Sequence, residues 1–325
     1  MFSQRTRLEK AVRLPPKMRV RVLLNPKAGG GKNVRRLPVL LSALERAGVS
    51  ADVAETRAPG DAPRIVREAS REGIECLAVM GGDGTMNEVC QAYIDEQGQP
   101  VPGPDLAVVP AGTGGDFRRT FGLGTSDAEA VTRLISNPPR PVDLGVLRFH
   151  DNDGRPCLRA FVNIASFGLG GLTDSLVNAG PKWLGGKAAF FLGTLRAMMV
   201  YRPQPVRVIV DGETFIEAPI LNVAMANGRY FGGGMMVAPD ADPTDGRLDV
   251  VAFHDITSFE SLTFTQDIYR GTHLGKKGVS SARGSEIRAE PLQSTDKVLI
   301  DLDGETPGRL PLIGSLLPAA VKIRI

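Results

Sequence analysis

The segment that most restricts how this chain can fold is LAVMGGDGTMNEV, Leu77 to Val89. In it an unbroken apolar run enters a glycine turn and leaves as a helix-compatible stretch. Such a run suits a strand buried on both faces, and strands of that kind belong to parallel sheets covered by helices. Gly81, Gly82 and Gly84 remove side chains where strand gives way to helix. Backbone N–H groups can then close on an anion, and the helix N-terminus adds favourable partial charge. Asp83 stands in the middle of that turn. A carboxylate facing phosphates repels them unless a cation lies between or it takes a proton from an attacking hydroxyl. Thr85 adds a hydroxyl to the same place. The plain alternative is an Asp-Gly turn joining strand to helix, but the whole GGDGT after a buried strand favours function.

The logic repeats one strand later. DLAVVP runs into AGTGGDFRRTFGL, where Gly112, Thr113, Gly114 and Gly115 make a second cradle and Asp116 a second carboxylate. Arg118 and Arg119 offer cations for a phosphate or an internal ion pair. The glycine spacing is not that of GxGxxG, and GGGKN at Gly29 to Asn33 lacks the Ser or Thr that a P-loop places after its Lys. Upstream, RVRVLLNP reads as a strand, VRRLPVLLSALERAG as a helix ending at Gly48, SADVAET as a short strand, and DAPRIVREASREG as a helix with Asp61 at its N-cap. MNEVCQAYIDEQ continues the first motif as a helix. This alternation predicts a parallel sheet with its ligand at the carboxyl ends of the strands. Beyond Val142, segments such as LGVLRF, RAFVNIASFG, PVRVIVDG, RLDVVAFHD and AAVKIRI read as antiparallel β structure, with helical insertions near Lys187 to Val200 and Ser258 to Gly271. The expected organisation is a basic tail over 1–18, an α/β nucleotide-binding domain over 19–143 and a β-rich lipid-substrate domain over 144–325.

Composition narrows the class of protein. With 42% apolar and 23% charged residues among 325, the chain is neither disordered nor fibrous. The excess of 39 basic over 36 acidic residues is small, but it gathers at the start, from Arg5 to Arg21. That tail is read as solvated, or as weakly drawn to an anionic membrane surface. No basic and aromatic surface pattern suggests nucleic acid. Cys76, Cys90 and Cys157, and the three histidines, are scattered, which excludes a disulfide framework and a zinc site and suits a reducing compartment. There is no signal-peptide core, and the greasiest stretch, Ala188 to Val200, is short and carries Arg196. A soluble, cytoplasmic protein is expected, one that would meet a lipid from outside the bilayer.

The ordered set NPKAGG, GGDGTMNEV, PAGTGGDF, VDLG, NIASFGLGG, GGGMMVAPDADPTDGRLDV and DLDGE resembles the catalytic domain of the diacylglycerol, sphingosine and ceramide kinase family, from about Arg19 to the C-terminus. The resemblance implies a parallel sheet like that of NAD kinase and phosphofructokinase, followed by an antiparallel β-rich domain, with ATP in the cleft between them. It implies that Asn25, Thr56, Gly82, Gly84, Thr85, Gly112 and Thr113 hold the nucleotide. Asp83 would take the hydroxyl proton, Glu305 in DGE would complete the site, and Asp116 and Arg119 would pair with basic residues such as Lys32 to fix the cleft. Asp242, Asp245 and the carbonyl of Arg247 fit a turn that binds a hard cation. Relatives of the bacterial type carry a structural Mg²⁺ there, near the residue matching Asp143; the alternative is an acidic surface turn. Asp174 matches a position that reads the lipid headgroup. Two positions depart from the family, with Gly115 where relatives have Asn and Arg118 where they have Ala.

The implied reaction is transfer of the ATP γ-phosphoryl group to a primary hydroxyl of a lipid. Diacylglycerol comes first among the candidates, then a sphingoid base or ceramide. The rivals are a soluble-substrate kinase of the NAD kinase type and a silent lipid-binding protein on the same fold. The apolar stretch AAFFLGTLRAMMVY and Trp183 would line the acyl-chain pocket, dip into the bilayer, or simply pack as core. An exposed strand edge could make a homodimer.

Overall fold

The computed structural model describes residues 18–111, 115–173, 197, 200–256, 260 and 264–325. The tail over 1–17, Gly112, Thr113, Gly114, Asp174, Trp183 and most of the apolar stretch before Val200 lie outside the described residues.

The first half alternates as its apolar pattern predicts. β1 (Val20–Leu24), α1 (Lys32–Arg46), β2 (Ala51–Glu55), α2 (Ala62–Arg71), β3 (Cys76–Gly81), α3 (Asp83–Cys90) and β4 (Asp105–Pro110) follow in order. The strands pair in parallel as β2-β1-β3-β4. The continuous apolar run of β3 is explained by its two faces. Cys76, Ala78 and Met80 pack with Leu40 and Leu44 of α1. Leu77 and Val79 pack with Ile65, Val66 and Ala69 of α2 and with Met86 and Val89 of α3. In α2 the buried set Ala62, Ile65, Val66 and Ala69 follows the helical spacing. The two motif cysteines are core thiols, and burial pushes Cys76 up to about 12.

Several local expectations are corrected. The MNEVCQAYIDEQ helix starts earlier, at Asp83, and its α-helical part stops at Cys90. A single tighter turn, Gln91–Tyr93, follows, and the Gln91 side chain leaves the helix to bond the backbone of Ala160 on both sides. Asp61 does stand at the N-cap of α2, but its carboxylate accepts from the Arg57 N–H and pairs with Arg64 and makes no capping bond. Two helices have no counterpart in the sequence reading, α4 (Asp116–Thr120) and α5 (Asp127–Ser136). The second packs Ala130, Val131 and Leu134 beside α1.

The second half is a meander of strands: β5 (Arg140–His150), β6 (Pro156–Phe161), β7 (Ile164–Gly168), β8 (Gln204–Val210), β9 (Glu213–Ala226) and β10 (Leu248–His254). The short α6 (Thr265–Arg270) separates these from β11 (Val279–Gly284), β12 (Glu286–Pro291), β13 (Ile300–Leu302) and β14 (Arg309–Arg324). All their pairings are antiparallel except one. The end of β14, read above as antiparallel, does pair that way with β5, but it also runs parallel to β4, with Ile323 opposite Leu106. It thereby joins both halves into one mixed sheet. β5 and β14 belong to both cores: Val142, Leu144, Val321 and Ile323 pack in the first, and Leu147, Phe149, Leu310, Leu312 and Leu316 in the second. No helix among the described residues is long and apolar enough to cross a membrane.

Candidate active site

The carboxyl ends of β1, β2, β3 and β4 bring the glycine turns together. Asn25, just past β1, donates from Nδ2 to the Thr85 hydroxyl at 2.9 Å, and its backbone N–H reaches the Met80 carbonyl at 3.2 Å. Asn33, buried at the start of α1, donates to the carbonyls of Asn25 and Met80 and fixes the same corner. Thr56 is buried at the end of β2, with its N–H on the Leu24 carbonyl at 2.9 Å. Gly82 caps α3 in an extended conformation. At Gly81 a side chain is excluded outright, because a Cβ would stand 2.4 Å from that of Thr85.

Asp83 reaches across to the next strand end. Its Oδ2 accepts from the N–H groups of Gly115 and Asp116 at 2.8 and 2.9 Å, and its Oδ1 from Phe117 at 3.2 Å. The carboxylate therefore satisfies the free N–H groups at the start of α4 and ties one glycine turn to the other. Asp116 carries the link onward. It pairs with Arg119 one turn along α4 and accepts from the Gly233 N–H at 2.7 Å, in the second half of the chain. Burial pushes its carboxyl up; the Gly233 N–H works against this, and the nearby Asp83 charge adds to it. Lys32, the expected partner, is exposed and forms no ion pair among the described residues.

The two departures from the family fit one another. Gly115 has a φ of +72°, and a Cβ there would lie 2.6 Å from Nε of Arg118. The Arg118 chain thus fills the space an Asn would need, and it is held by its bond to the Leu123 carbonyl at 2.9 Å. Gly115→Asn alone is expected to lower thermal stability and transfer, whereas Gly115→Asn with Arg118→Ala should recover both. A double-mutant cycle on unfolding temperature and rate checks this; additive losses would mean that the two positions are independent.

Glu305 stands on a two-residue turn after β13. The Leu302 N–H bonds the Glu305 carbonyl at 2.9 Å, and the Glu305 N–H the Leu302 carbonyl at 3.1 Å. Between them Asp303 and Gly304 both have positive φ, +49° and +91°, as a type I′ hairpin turn requires. Glu305 is exposed, and its carboxylate makes no hydrogen bond or ion pair among the described residues. Two further carboxyls stand behind it. Asp301 accepts from the Ser166 hydroxyl at 3.0 Å and the Gly304 N–H at 2.9 Å. Asp303 accepts from the Ile164 N–H at 3.3 Å. The sequence reading passed over both, although DLD at alternate positions of a buried strand end was a signal.

At the acidic turn, the backbone of Arg247 donates to Asp245 at 3.0 Å, and Asp245 also pairs with Arg283. Asp242 accepts from the N–H and hydroxyl of Thr244. Asp143 is buried, and its two oxygens accept from the N–H groups of Ala319 and Gly246. Arg283 supplies the positive charge a cation would bring. As they stand, these groups close a polar turn; among the described residues no three His, Cys, Asp or Glu side chains are grouped to hold a metal ion.

The architecture is that of diacylglycerol kinases and, more distantly, NAD kinases. A crystal structure described as a "putative diacylglycerol kinase" from Bacillus anthracis superposes with a TM-score of 0.72 at 25% identity, covering 94% of this chain and 96% of that one. Yeast NADH kinase shares the fold at a TM-score of 0.51 and 11% identity, over 95% of this chain and 83% of that one. Residues 19–147 match the diacylglycerol kinase catalytic domain, and residues 163–325 the YegS C-terminal NAD kinase beta sandwich-like domain. A diacylglycerol kinase of Mycobacterium tuberculosis is 29% identical over 94% of both chains. A Pseudomonas aeruginosa protein, "Probable lipid kinase YegS-like", is 32% identical over 95% of both. The chain belongs to the diacylglycerol kinase and YegS-like lipid kinase family.

Proposed function

We propose that the protein is an ATP-dependent lipid kinase acting on a primary hydroxyl, with diacylglycerol as the first substrate to test. The observation that carries the reading is the Asp83 strut, which ties the start of α3 to the start of α4 at one sheet edge and, through Asp116, reaches the β-rich half. Residues 19–143 would bind ATP, through Asn25, Thr56, the N-terminus of α3, Thr85, Gly112 and Thr113. Residues 144–325 would present a lipid drawn from a membrane surface, with Asp174 at its headgroup.

In the reaction the lipid hydroxyl oxygen bonds the γ-phosphorus, the bond to the β,γ-bridging oxygen breaks, and ADP leaves. Catalysis of this kind is mostly positioning and charge neutralisation. Mg²⁺ would travel with ATP and offset phosphate charge. Glu305 would take the hydroxyl proton; in support, its carboxylate is exposed and makes no hydrogen bond or ion pair among the described residues, whereas Asp83 is occupied by three N–H groups.

The test is phosphate transfer from labelled ATP to diacylglycerol, sphingosine, ceramide and phosphatidylglycerol in mixed micelles, with NAD as a soluble acceptor. Transfer to diacylglycerol is expected, reduced by about 10²-fold in Glu305→Gln. Transfer to NAD alone, or ATP binding without transfer, would overturn the reading.

A further inference from the structure

Asp303 sits one step past the end of β13, where Leu302 pairs with Ala165 of β7. Its backbone N–H reaches the Ile164 carbonyl at 3.4 Å, and its side-chain Oδ1 accepts from the Ile164 N–H at 3.3 Å. The side chain thus stands in for the missing backbone acceptor and extends the β13–β7 ladder by one rung. That rung holds the tip of the hairpin turn from which Glu305 projects. Asp is one of the few residues with a side chain that tolerates the positive φ needed here.

The second oxygen, Oδ2, is sealed from solvent and has no hydrogen-bond partner among the described residues. Among the described residues, the groups that act most strongly on it are Asp301 on its own strand, Glu305 on the turn, and Asp83 and Cys90 from α3. None of them is a cation. A carboxylate buried without a counter-charge among like charges is costly, and it is relieved by taking a proton. Burial pushes Asp303 well above the usual carboxylate range; the Ile164 N–H opposes this, and Asp83, Asp301 and Glu305 add to it.

We propose that Asp303 is a positioning residue of the phosphotransfer site, seating the Leu302–Glu305 turn on Ile164 as an uncharged carboxyl. The proposal rests on the kinase reading above. In this role Asp303 fixes where Glu305 stands, adds no further negative charge beside a bound triphosphate, and does not compete for the hydroxyl proton.

Asp303→Asn keeps the acceptor and the neutral charge, so its kcat and KM for ATP should stay within about 3-fold of wild type. Asp303→Ala should lower kcat by about 10- to 100-fold with KM for ATP unchanged. Thermal unfolding supplies a readout independent of activity. A group whose folded pKa is raised adds stability below its unfolded pKa and loses that stability as pH rises through the folded value. The stability of Asp303→Asn relative to wild type should therefore rise from about pH 4 upward.

A folded Asp303→Asn as inactive as Asp303→Ala would overturn the proposal, because it would show that the charge is needed. A pH-independent difference in stability would overturn the uncharged state, and a fully active Asp303→Ala the positioning role. If Asp303→Ala does not fold, Gly304→Ala serves in its place, since it adds a Cβ in open space but strains the +91° φ of the same turn. The same loss of kcat is expected from it, and unchanged kcat would overturn the role. Wild-type protein that transfers phosphate to no lipid would remove the kinase reading and the positioning role with it. The pH dependence of the stability difference would still decide the charge state.

Discussion

Replacing Asp83 with alanine is expected to lower phosphate transfer by about 10³-fold while leaving both cores intact. The loss has two sources. Three N–H groups at the start of α4 lose their acceptor, and that turn carries Asp116, the link to Gly233. Each unpaired donor costs about 1–3 kcal/mol where water cannot replace the bond, so the loop should move or loosen. The second source is any proton that Asp83 itself accepts. Asp83→Asn separates the two: an amide oxygen in the Oδ2 position keeps the bonds to Gly115 and Asp116, and only the longer Phe117 bond is exchanged for an NH₂ facing an N–H. If Asp83 acts as a strut, Asp83→Asn retains most of the activity that Asp83→Ala loses. If it takes the proton, the two variants fall together. Transfer from labelled ATP, read beside thermal unfolding of each variant, decides between them. An Asp83→Ala protein with the wild-type rate would take Asp83 out of the mechanism altogether.

What the sequence made legible is what short-range chemistry controls. A buried strand running into GGDGT must turn, and the helix after it must begin near the glycines, so β3, α3 and the carboxyl edge of the sheet could be read directly. The partners of Asp83 could not, since the N–H groups it accepts lie 32 to 34 residues away and any backbone has them. The parallel pairing of β14 with β4 was hidden for a related reason. Alternating apolar residues in AAVKIRI suit either direction of pairing, and nothing in the segment tells that β4 keeps a free side once β3 occupies the other. The Gly115 and Arg118 departures looked independent in sequence, and only the 2.6 Å that would separate a Cβ at Gly115 from Nε of Arg118 makes them one feature. Glu305 entered the reading only through the family resemblance that DGE helps to carry. Asp303 was not legible, because its role depends on which strand lies beside it.

Asp143 should prove the most costly single carboxyl to remove from the fold, and asparagine should serve it almost as badly as alanine. It lies on β5 where the register against β14 slips between Leu317 and Val321. Its Oδ1 accepts from the N–H of Ala319, which has a φ of +53°, at 2.7 Å, and its Oδ2 from Gly246 at 2.8 Å. Its backbone bonds Pro243 and Asn227. One residue thus ties the irregular step of β14, the acidic turn and the strands common to both cores. Alanine leaves two donors unpaired, a loss of about 2–5 kcal/mol. Asparagine replaces one oxygen but turns an NH₂ toward the other N–H, donor against donor, so little is recovered. Burial holds this carboxyl above its usual range against the pull of the two N–H groups, and the Asp245 and Asp242 charges add to that. The contribution of Asp143 is therefore largest below about pH 4 and shrinks as pH rises through its folded value. Urea midpoints should show the gap between wild type and Asp143→Asn narrowing with pH. If Asp143→Asn unfolds at the wild-type midpoint, the two N–H bonds contribute nothing to holding the halves together.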